Sequence, residues 1–208
     1  MTQVKNQLFY HIHRLNNGDG SSNEHGKKWQ IGNQLTFEDD YNGLWKRIVD
    51  FNGLENFSTD LQNHRILNYL GQIIDKIVPE NEADRNFFTG SPLFQYLEFT
   101  RETVLERVRN QFFPHLPSRQ KGIWLTDLEN AQSWRTILGE NCQVKVFKVR
   151  FTGVIHKADE AWITTDSLSL ENYYKMAKGY WEGRIKEGVP TYEYLGVGKL
   201  EIVAEVCV

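Results

Sequence analysis

The chain has little cysteine and no long apolar run. Its only cysteines, Cys142 and Cys207, are too few for a disulfide framework or a thiolate metal site, and each lies in or beside a strand-like segment. We expect both to be buried free thiols, since unpaired cysteine behaves as a small hydrophobic residue. No apolar stretch approaches the roughly 18 residues of a membrane span, and the polar first residues contain no signal-peptide core. These absences predict a cytoplasmic protein with no membrane contact.

Neither sign of charge is in large excess. The 24 Lys and Arg residues and 27 Asp and Glu residues leave a formal net charge of −3, which argues against a protein that coats nucleic acid by bulk charge. A content of 40% hydrophobic and 25% charged residues is typical of a globular protein and excludes wholesale disorder. Aromatic residues are plentiful, with six Trp, nine Tyr and twelve Phe. Such rings fill cores or form platforms for flat ligands.

Hydrophobic periodicity predicts an α+β fold in a single domain, residues 1–208. The predicted strands are Gln7–Leu15, Trp29–Phe37 (short), Gly122–Thr126, Val144–Ile155, Glu160–Thr165 and Leu195–Val208. Capping residues and prolines predict four helices: one from Ser58 or Thr59 to Ile77, one over 92–112, one after Asp127, and one over Ser169–Gly183.

Common catalytic motifs are missing from the sequence. It contains no phosphate-binding GxxxxGK[ST] loop, no GxSxG elbow and no HExxH pair. His11 and His13 are two residues apart on a predicted strand, so their side chains share one face, a spacing that can serve a metal. Because no third ligand lies nearby in sequence, we predict no metal site.

Three segments carry a family resemblance. The first is Phe9-Tyr10-His11 on the first strand, followed here by Ile12 and His13. The second is 116–134, in which Gly122 and Trp124 open a strand that leads into a helix bearing Ala131. The third is Tyr192-Glu193-Tyr194-Leu195, which opens the last strand. In order along the chain, they resemble the ADP-ribosyltransferase fold, especially its diphtheria-toxin and poly(ADP-ribose)-polymerase branch, including DarT-type toxins.

This resemblance implies a fold and a cofactor. The fold is a split mixed β-sheet that binds NAD in a cleft, and residues 55–112 become a helical insertion after the first strand. The similarity covers residues 7–15, 116–166 and 190–206. In the family a tyrosine stands where this chain has Trp124, and small residues stand where it has Ile12 and His13.

The resemblance also implies roles for individual residues. Glu193 corresponds to the catalytic carboxylate, with Glu182, Glu201 and Glu205 as rivals. The NAD-binding residues are His11 at the adenosine ribose, Tyr10 before it, Trp124 stacked on nicotinamide, and Ser118 and Arg119 at a phosphate or ribose. No metal is required.

The implied function is that of an NAD-dependent mono-ADP-ribosyltransferase. Its place would be that of an intracellular microbial toxin, the effector of a toxin–antitoxin or phage-defence system, with an antitoxin protein as partner. The acceptor is a nucleic-acid base or a protein side chain. The aromatic excess and the basic stretches 145–150 and 175–184 favour nucleic acid, and the net charge opposes it. Two alternatives stay open: a non-enzymatic nucleotide- or partner-binding module on the same fold, and an NAD glycohydrolase.

The aromatic residues divide into those expected to line the NAD cleft and those expected to fill the core. We expect Tyr10, Trp124, Tyr192 and Tyr194 to line the cleft, because they fall beside the three segments. Most of the others lie on helix or strand stripes and are predicted core residues: Phe57, Phe94, Phe99, Phe112, Phe147, Phe151, Tyr173 and Tyr180.

Overall fold

The structure is a computed structural model that describes residues 1–15, 29–38, 40–49, 92–139, 143–163 and 168–207. Its strands are β1 (Thr2–Leu15), β2 (Gln34–Phe37), β3 (Ile123–Leu125), β4 (Gln143–Asp159) and β5 (Tyr192–Val206). Its helices are α1 (Gly43–Val49), α2 (Pro92–Phe112), α3 (Leu128–Gly139) and α4 (Leu170–Trp181), with a 3-10 helix at Glu160–Trp162. The predicted α+β class is confirmed.

The long strand β4 is the centre of one five-stranded sheet. It pairs with β1 on one side and with β5 on the other, and β5 carries β2 and β3 on its far edge. Every pair among the described strands is antiparallel. The parallel pairing that a mixed sheet contains is therefore not found among these strands.

The sheet curls back on itself at β3. Strands β1 and β5 lie on opposite sides of β4. Nevertheless β3 pairs with β5, and Thr126, directly after β3, exchanges two backbone hydrogen bonds of 2.8 Å with Tyr10 of β1. This closure joins the first strand, the middle strand and the start of the last strand. Those are the three segments that carry the family resemblance.

Two apolar cores lie on the two faces of the sheet. Helices α2 and α4 pack together over one face and form the helix-side core, which includes Leu105, Val108, Ala177, Trp181 and Leu195. The curl of the sheet encloses the inner core, which includes Phe9, Leu125, Val149, Phe151 and Ile202. Successive strand residues point to opposite faces, so Leu195 enters the helix-side core and Tyr194 packs against the inner core.

Capping residues and hydrophobic spacing in the sequence predicted most of these helices and strands. The bounds of α2 match the prediction, and the side chains of Asp127 and Ser169 cap α3 and α4 by accepting from the backbone N–H groups of Asn130 and Asn172. The predicted strand Glu160–Thr165 is wrong. Strand β4 ends at Asp159, whose carboxylate accepts from the Ala161 N–H and starts the 3-10 helix. The helix predicted from Ser58 or Thr59 lies outside the described residues.

Some burial predictions fail. Cys207 is exposed, because it follows the end of β5 and no longer lies in the sheet; Cys142 lies outside the described residues. Phe99 and Phe112 are 43% and 46% exposed, since α2 turns another face toward the sheet. The predicted core positions Phe147, Phe151, Tyr173 and Tyr180 are buried. Phe57 and the side chain of Phe94 are outside the described set.

Over the part of the chain that the structure describes, no helix is long and apolar enough to cross a membrane.

Candidate functional site

A buried arginine, in the turn between α2 and β3, forms ion pairs with a carboxylate of α2 and a carboxylate at the start of β5. Arg119 is 4% exposed, and its Nε and Nη2 atoms donate to the two carboxylate oxygens of Glu102 at 2.9 and 3.2 Å. Its Nη1 atom donates to Glu193 Oε1 at 2.5 Å and to the Tyr180 hydroxyl at 2.7 Å. The Tyr180 hydroxyl in turn donates to the same Glu193 oxygen at 2.5 Å. We call these four residues the Arg119 cluster.

The turn that carries Arg119 is held from both sides. The N–H of Gly122 donates to the Ser118 carbonyl at 2.8 Å, and the side chain of Asn42 donates to the carbonyls of Arg119 and Gly122 at 2.6 and 2.9 Å. At Gly122 a Cβ atom would lie 2.7 Å from Leu195 Cδ1 and 3.0 Å from two backbone oxygens. Only glycine permits this close approach of the turn to β5.

Glu193 is fixed by the backbone around it. It is the second residue of β5, it faces Ala158 of β4, and it is 5% exposed. The preceding carbonyl, that of Tyr192, accepts from the Trp134 indole at 3.0 Å. Residues of α3 and β4 thus hold the backbone from which the Glu193 side chain extends.

Burial and charge act in opposite directions within the Arg119 cluster. Burial alone would raise the pKa of Glu102, but the positive charges of Arg119 and Arg101 prevail and lower that pKa. Burial raises the pKa of Tyr180 well above its ordinary value despite the neighbouring guanidinium. Tyr180 is therefore a neutral phenol near pH 7, able to donate to Glu193.

A second carboxylate, that of Glu160, follows β4 where this strand pairs with the start of β5. The Glu160 N–H donates to the Thr191 carbonyl at 2.9 Å, and its side chain is half-buried. Burial, together with the negative charges of Glu193 and Asp159, raises the pKa of Glu160, while Arg101 and Lys186 oppose the shift. Two neighbouring carboxylates in different environments are suited to different tasks.

Trp124 connects the Arg119 cluster to β1. Its half-buried ring packs against the helix-side core, and the Arg119 guanidinium lies 5.4 Å from the ring centroid. Its backbone carbonyl accepts from His11 Nδ1 at 2.9 Å. A carbonyl can only accept, so Nδ1 carries the proton and Nε2 is left as an acceptor.

The His11 ring lies on the opposite face of the sheet from Glu193. It stacks on Trp29 at a centroid distance of 4.3 Å, and Trp29 packs on Phe147 of the inner core. Burial lowers the pKa of His11 to about 4, with a smaller contribution from His13 and against the hydrogen bond to Trp124. His11 is therefore neutral near pH 7.

The structure gives Ser118 and Arg119 partners other than those predicted. The Ser118 hydroxyl donates to Glu106 at 3.0 Å. Arg119 has two carboxylate partners, Glu102 and Glu193; its predicted contact with a phosphate or ribose stays a prediction. The position of Arg119 makes it the residue that holds Glu193.

The remaining predicted site residues are three tyrosines beside the resemblance segments and three alternative catalytic glutamates. Tyr10 bonds to Thr126 through its backbone, and the rings of Tyr192 and Tyr194 lie under the Lys157 ammonium at 3.5 and 5.5 Å. The three rival carboxylates form ion pairs at the protein surface: Glu182 with Arg184, Glu201 with Arg150, and Glu205 with Lys145.

Three residues of the site were not predicted. Glu102 bonds to Arg119, Tyr180 bonds to Glu193, and Glu160 is a carboxylate whose pKa the charge of Glu193 raises. A signal existed for Glu102, which sits one helical turn before Glu106 among the apolar residues Val104, Leu105 and Val108. An acid in a buried stripe requires a cation, and Arg119 is the first arginine after α2.

Within the described ranges, no group of three or more His, Cys, Asp or Glu side chains could hold a metal ion.

Comparison with known sequences gives the family of the chain. Among curated proteins, none matches its sequence. Residues 9–207 match the family described as a protein of unknown function, DUF2441, which is nearly the whole chain and includes every residue of the Arg119 cluster. The chain belongs to the DUF2441 family.

Proposed function

We propose that this protein is an NAD-dependent mono-ADP-ribosyltransferase whose catalytic carboxylate is Glu193. The observation that carries the proposal is the contact of Trp124, Arg119 and Glu193, side by side on β3, its preceding turn and β5. The resemblance named these residues from two distant segments. His11 of the first segment donates to the Trp124 carbonyl, but its ring lies on the opposite face of the sheet from Glu193, so the proposal gives it no place at the catalytic carboxylate.

One feature of the topology agrees with the resemblance, although the described strands include no parallel pair. Strand β3 pairs with β5, and Thr126, which follows β3, bonds to Tyr10 of β1, so the three resemblance segments meet here. Helix α2 follows the first strand in sequence, where the resemblance places the helical insertion 55–112. Residues 55–91 of that insertion lie outside the described part.

The reaction breaks the bond between nicotinamide and ribose C1′, and nicotinamide leaves with the bonding electron pair. A lone pair of the acceptor then forms the new bond to C1′, and the acceptor loses a proton. The ribose carries positive charge in the transition state, so the Glu193 carboxylate is suited to stabilise it. Trp124, whose ring is half-buried, is suited to stack on the nicotinamide.

Arg119 and Tyr180 act as positioning residues in this mechanism. Both donate to the same oxygen, Glu193 Oε1, and neither hydrogen bond involves Oε2. A carboxylate held at one oxygen keeps the other for the substrate, with its orientation fixed before binding. The two hydrogen bonds to Oε1 thus suit a carboxylate that stabilises the substrate by its charge and its fixed orientation.

Glu160 is suited to accept the proton of the acceptor. It is more exposed than Glu193, and no ion pair involves its carboxylate in the described structure. Its raised pKa brings it closer to neutral pH, which favours a general base. Activity is then expected to fall as acid protonates Glu160.

We propose a nucleic-acid base or a protein side chain as the acceptor, and the role of an intracellular microbial toxin with an antitoxin partner.

The test incubates purified protein with radiolabelled NAD in separate reactions that contain RNA, single-stranded DNA or a protein extract. Label transferred to one acceptor supports a transferase, and free ADP-ribose alone supports a glycohydrolase. The Glu160→Gln variant is expected to flatten the acidic limb of the pH–rate profile.

A second candidate is a nucleotide-binding module without turnover. The absence of turnover is favoured by the burial of the Arg119 cluster, in which Glu102 and Arg119 are 2% and 4% exposed and paired with each other, as in a structural ion pair. Binding of NAD with no nicotinamide released in any of the incubations would support this candidate.

A further inference from the structure

The pairing of β4 with β5 ends just before Glu160. Its last register pair is Asp159 with Tyr192, so Glu160 lies outside the ladder, whereas Glu193 is the second residue of β5 and lies within it. We call residues 159–163 the Glu160 turn and residues 183–191, which lead from α4 to β5, the 183–191 loop. The position of Glu160 relative to Glu193 therefore depends on how the turn is held against the loop.

The carboxylate of Asp159 joins the Glu160 turn to the 183–191 loop. Asp159 is 1% exposed. Its Oδ1 atom accepts from the backbone N–H of Ala161 at 3.1 Å, and its Oδ2 atom accepts from the backbone N–H of Lys186 at 3.0 Å. Hydrogen bonds from backbone N–H groups to an ionised carboxylate are stronger than neutral ones. One oxygen thus holds the turn and the other holds the loop.

Uncharged acceptors add to this connection between turn and loop. The Lys186 ammonium donates to the Ala161 carbonyl at 3.0 Å, and the Trp162 indole donates to the Arg184 carbonyl at 2.8 Å. The Trp162 ring also packs on Gly179 of α4, where a Cβ atom would lie 2.6 Å from the ring. The turn is therefore fixed against both the loop and α4.

Asp159 acts on Glu160 through its charge as well. Burial raises the pKa of Glu160, and the negative charges of Glu193 on β5 and Asp159 on β4 raise it further. The positive charges of Arg101 on α2 and Lys186 on the 183–191 loop oppose this shift. Because two backbone N–H groups hold the Asp159 carboxylate, its charge stays at a fixed place next to Glu160.

We propose that Asp159 is a positioning residue for Glu160: its carboxylate fastens the turn that carries Glu160 to the loop that leads into β5 and Glu193. This role rests on the proposed function, in which Glu160 is the general base. Lys186 is the counterpart of Asp159, since it donates to the same turn and carries the opposite charge. Removal of the two charges should therefore act on Glu160 in opposite directions.

A carboxyl-carbon NMR titration of the full chain, with ¹³C-labelled glutamate side chains, measures the pKa of Glu160, and Glu160→Gln identifies its signal. The test variants are Asp159→Asn, which removes the charge at constant size, and Lys186→Gln. One control is Trp162→Phe, which removes an uncharged hydrogen bond of the same turn. The other is Glu187→Gln, which removes a charge from an exposed position of the same loop. Thermal melts establish that each variant is folded.

The two test variants are expected to shift in opposite directions. Asp159→Asn should lower the pKa of Glu160 and move the acidic limb of the pH–rate profile of NAD turnover to lower pH, and Lys186→Gln should raise both. The two controls should keep the wild-type pKa of Glu160. In the wild type, the amide signals of Ala161 and Lys186 should move together as Asp159 is protonated, which tests the contact even if Asp159→Asn does not fold.

Failure of this role is distinguishable from failure of the proposed function. A chain that turns over no NAD would contradict the transferase, while the pKa of Glu160 in the variants would still test Asp159. An unchanged pKa of Glu160 in Asp159→Asn, an equal shift in Trp162→Phe, or amide signals of Ala161 and Lys186 that move at different pH values would overturn the proposal.

Discussion

Arg119 donates from Nη1 to Glu193 Oε1 at 2.5 Å, and the two side chains are 4% and 7% exposed. The same guanidinium binds both oxygens of Glu102, so one cation lies between two buried carboxylates. These two ion pairs hold the Glu193 carboxylate in one orientation while it stays buried. They also make the fold sensitive to the loss of its central charge.

Replacing Arg119 is expected to destabilise the protein strongly. Arg119→Met leaves Glu102 and Glu193 buried without their common cation, and loss of one partner of a buried pair costs about 3–5 kcal/mol. Urea denaturation measures the change in the free energy of unfolding. The matched control is Arg150→Ala, since the Arg150–Glu201 pair lies at the surface and is worth roughly 0–1 kcal/mol. Equal losses in the two variants would contradict a buried, interdependent cluster.

Gly122 is expected to tolerate no side chain. In Gly122→Ala the new Cβ would lie 2.7 Å from Leu195 Cδ1 and 3.0 Å from the Ser118 and Gly196 oxygens, so the turn or β5 must move. Overpacking of this kind costs about 1–3 kcal/mol. Gly43→Ala is the control, because nothing lies within 4 Å of a Cβ there. A thermal melt of Gly122→Ala as high as that of Gly43→Ala would show that the contact is not tight.

Stability is expected to decline between pH 6.5 and about 4. Burial lowers the pKa of His156 from 6.5 to about 4 in the folded protein, so over this range the unfolded chain binds a proton that the folded one does not. Acid therefore favours unfolding, and the stability present above pH 6.5 is lost as the pH falls. His11, with its pKa also lowered to about 4, acts in the same direction.

The contribution of His156 can be isolated by substitution. His156 Nε2 donates to the Tyr180 carbonyl at 3.1 Å, a bond that a glutamine side chain can replace. In His156→Gln, the slope of unfolding free energy against pH should correspond to about one proton fewer than in the wild type. An unchanged slope from urea titrations at several pH values would mean that His156 is not a buried neutral group.

Tyr180→Phe separates positioning from stability. The variant keeps the ring in the helix-side core and removes the hydroxyl that donates to Glu193 and accepts from Arg119. Loss of these two hydrogen bonds should cost about 1–3 kcal/mol of unfolding free energy. If Tyr180 positions the catalytic carboxylate, kcat for NAD turnover should also fall while KM changes little. A variant as active as the wild type would limit Tyr180 to a structural role.

The sequence predicted what depends on neighbouring residues. Helix α2 follows from its apolar spacing, and α4 follows from Ser169 and Gly183, which has a φ of +67° just after the helix. The order of the three resemblance segments also named Arg119, Trp124 and Glu193, which the fold brings into contact.

What could not be predicted depends on how distant elements dock. Tyr180 is an apolar-stripe residue by its spacing, and only the packing of α4 against β5 brings its hydroxyl to Glu193. The burial of Glu102 likewise requires the turn after α2 to return Arg119 to that helix. The side chains of His11 and Glu193 lie on opposite faces of the sheet. Which face each takes depends on the register of distant strands and on the curl of the sheet, and no local sequence pattern predicts either.

The most direct test of the transferase proposal is the release of nicotinamide from NAD by the full chain, with RNA, single-stranded DNA, protein or water as acceptor. The wild type and Glu182→Gln, in which a surface carboxylate is altered, are expected to release it at the same rate. Glu193→Gln, shown to be folded by its thermal melt, is expected to be slower by about a hundredfold or more, the effect of removing a stabiliser of transition-state charge. No release by the wild type with any acceptor, or equal rates for the wild type and Glu193→Gln, would contradict the account.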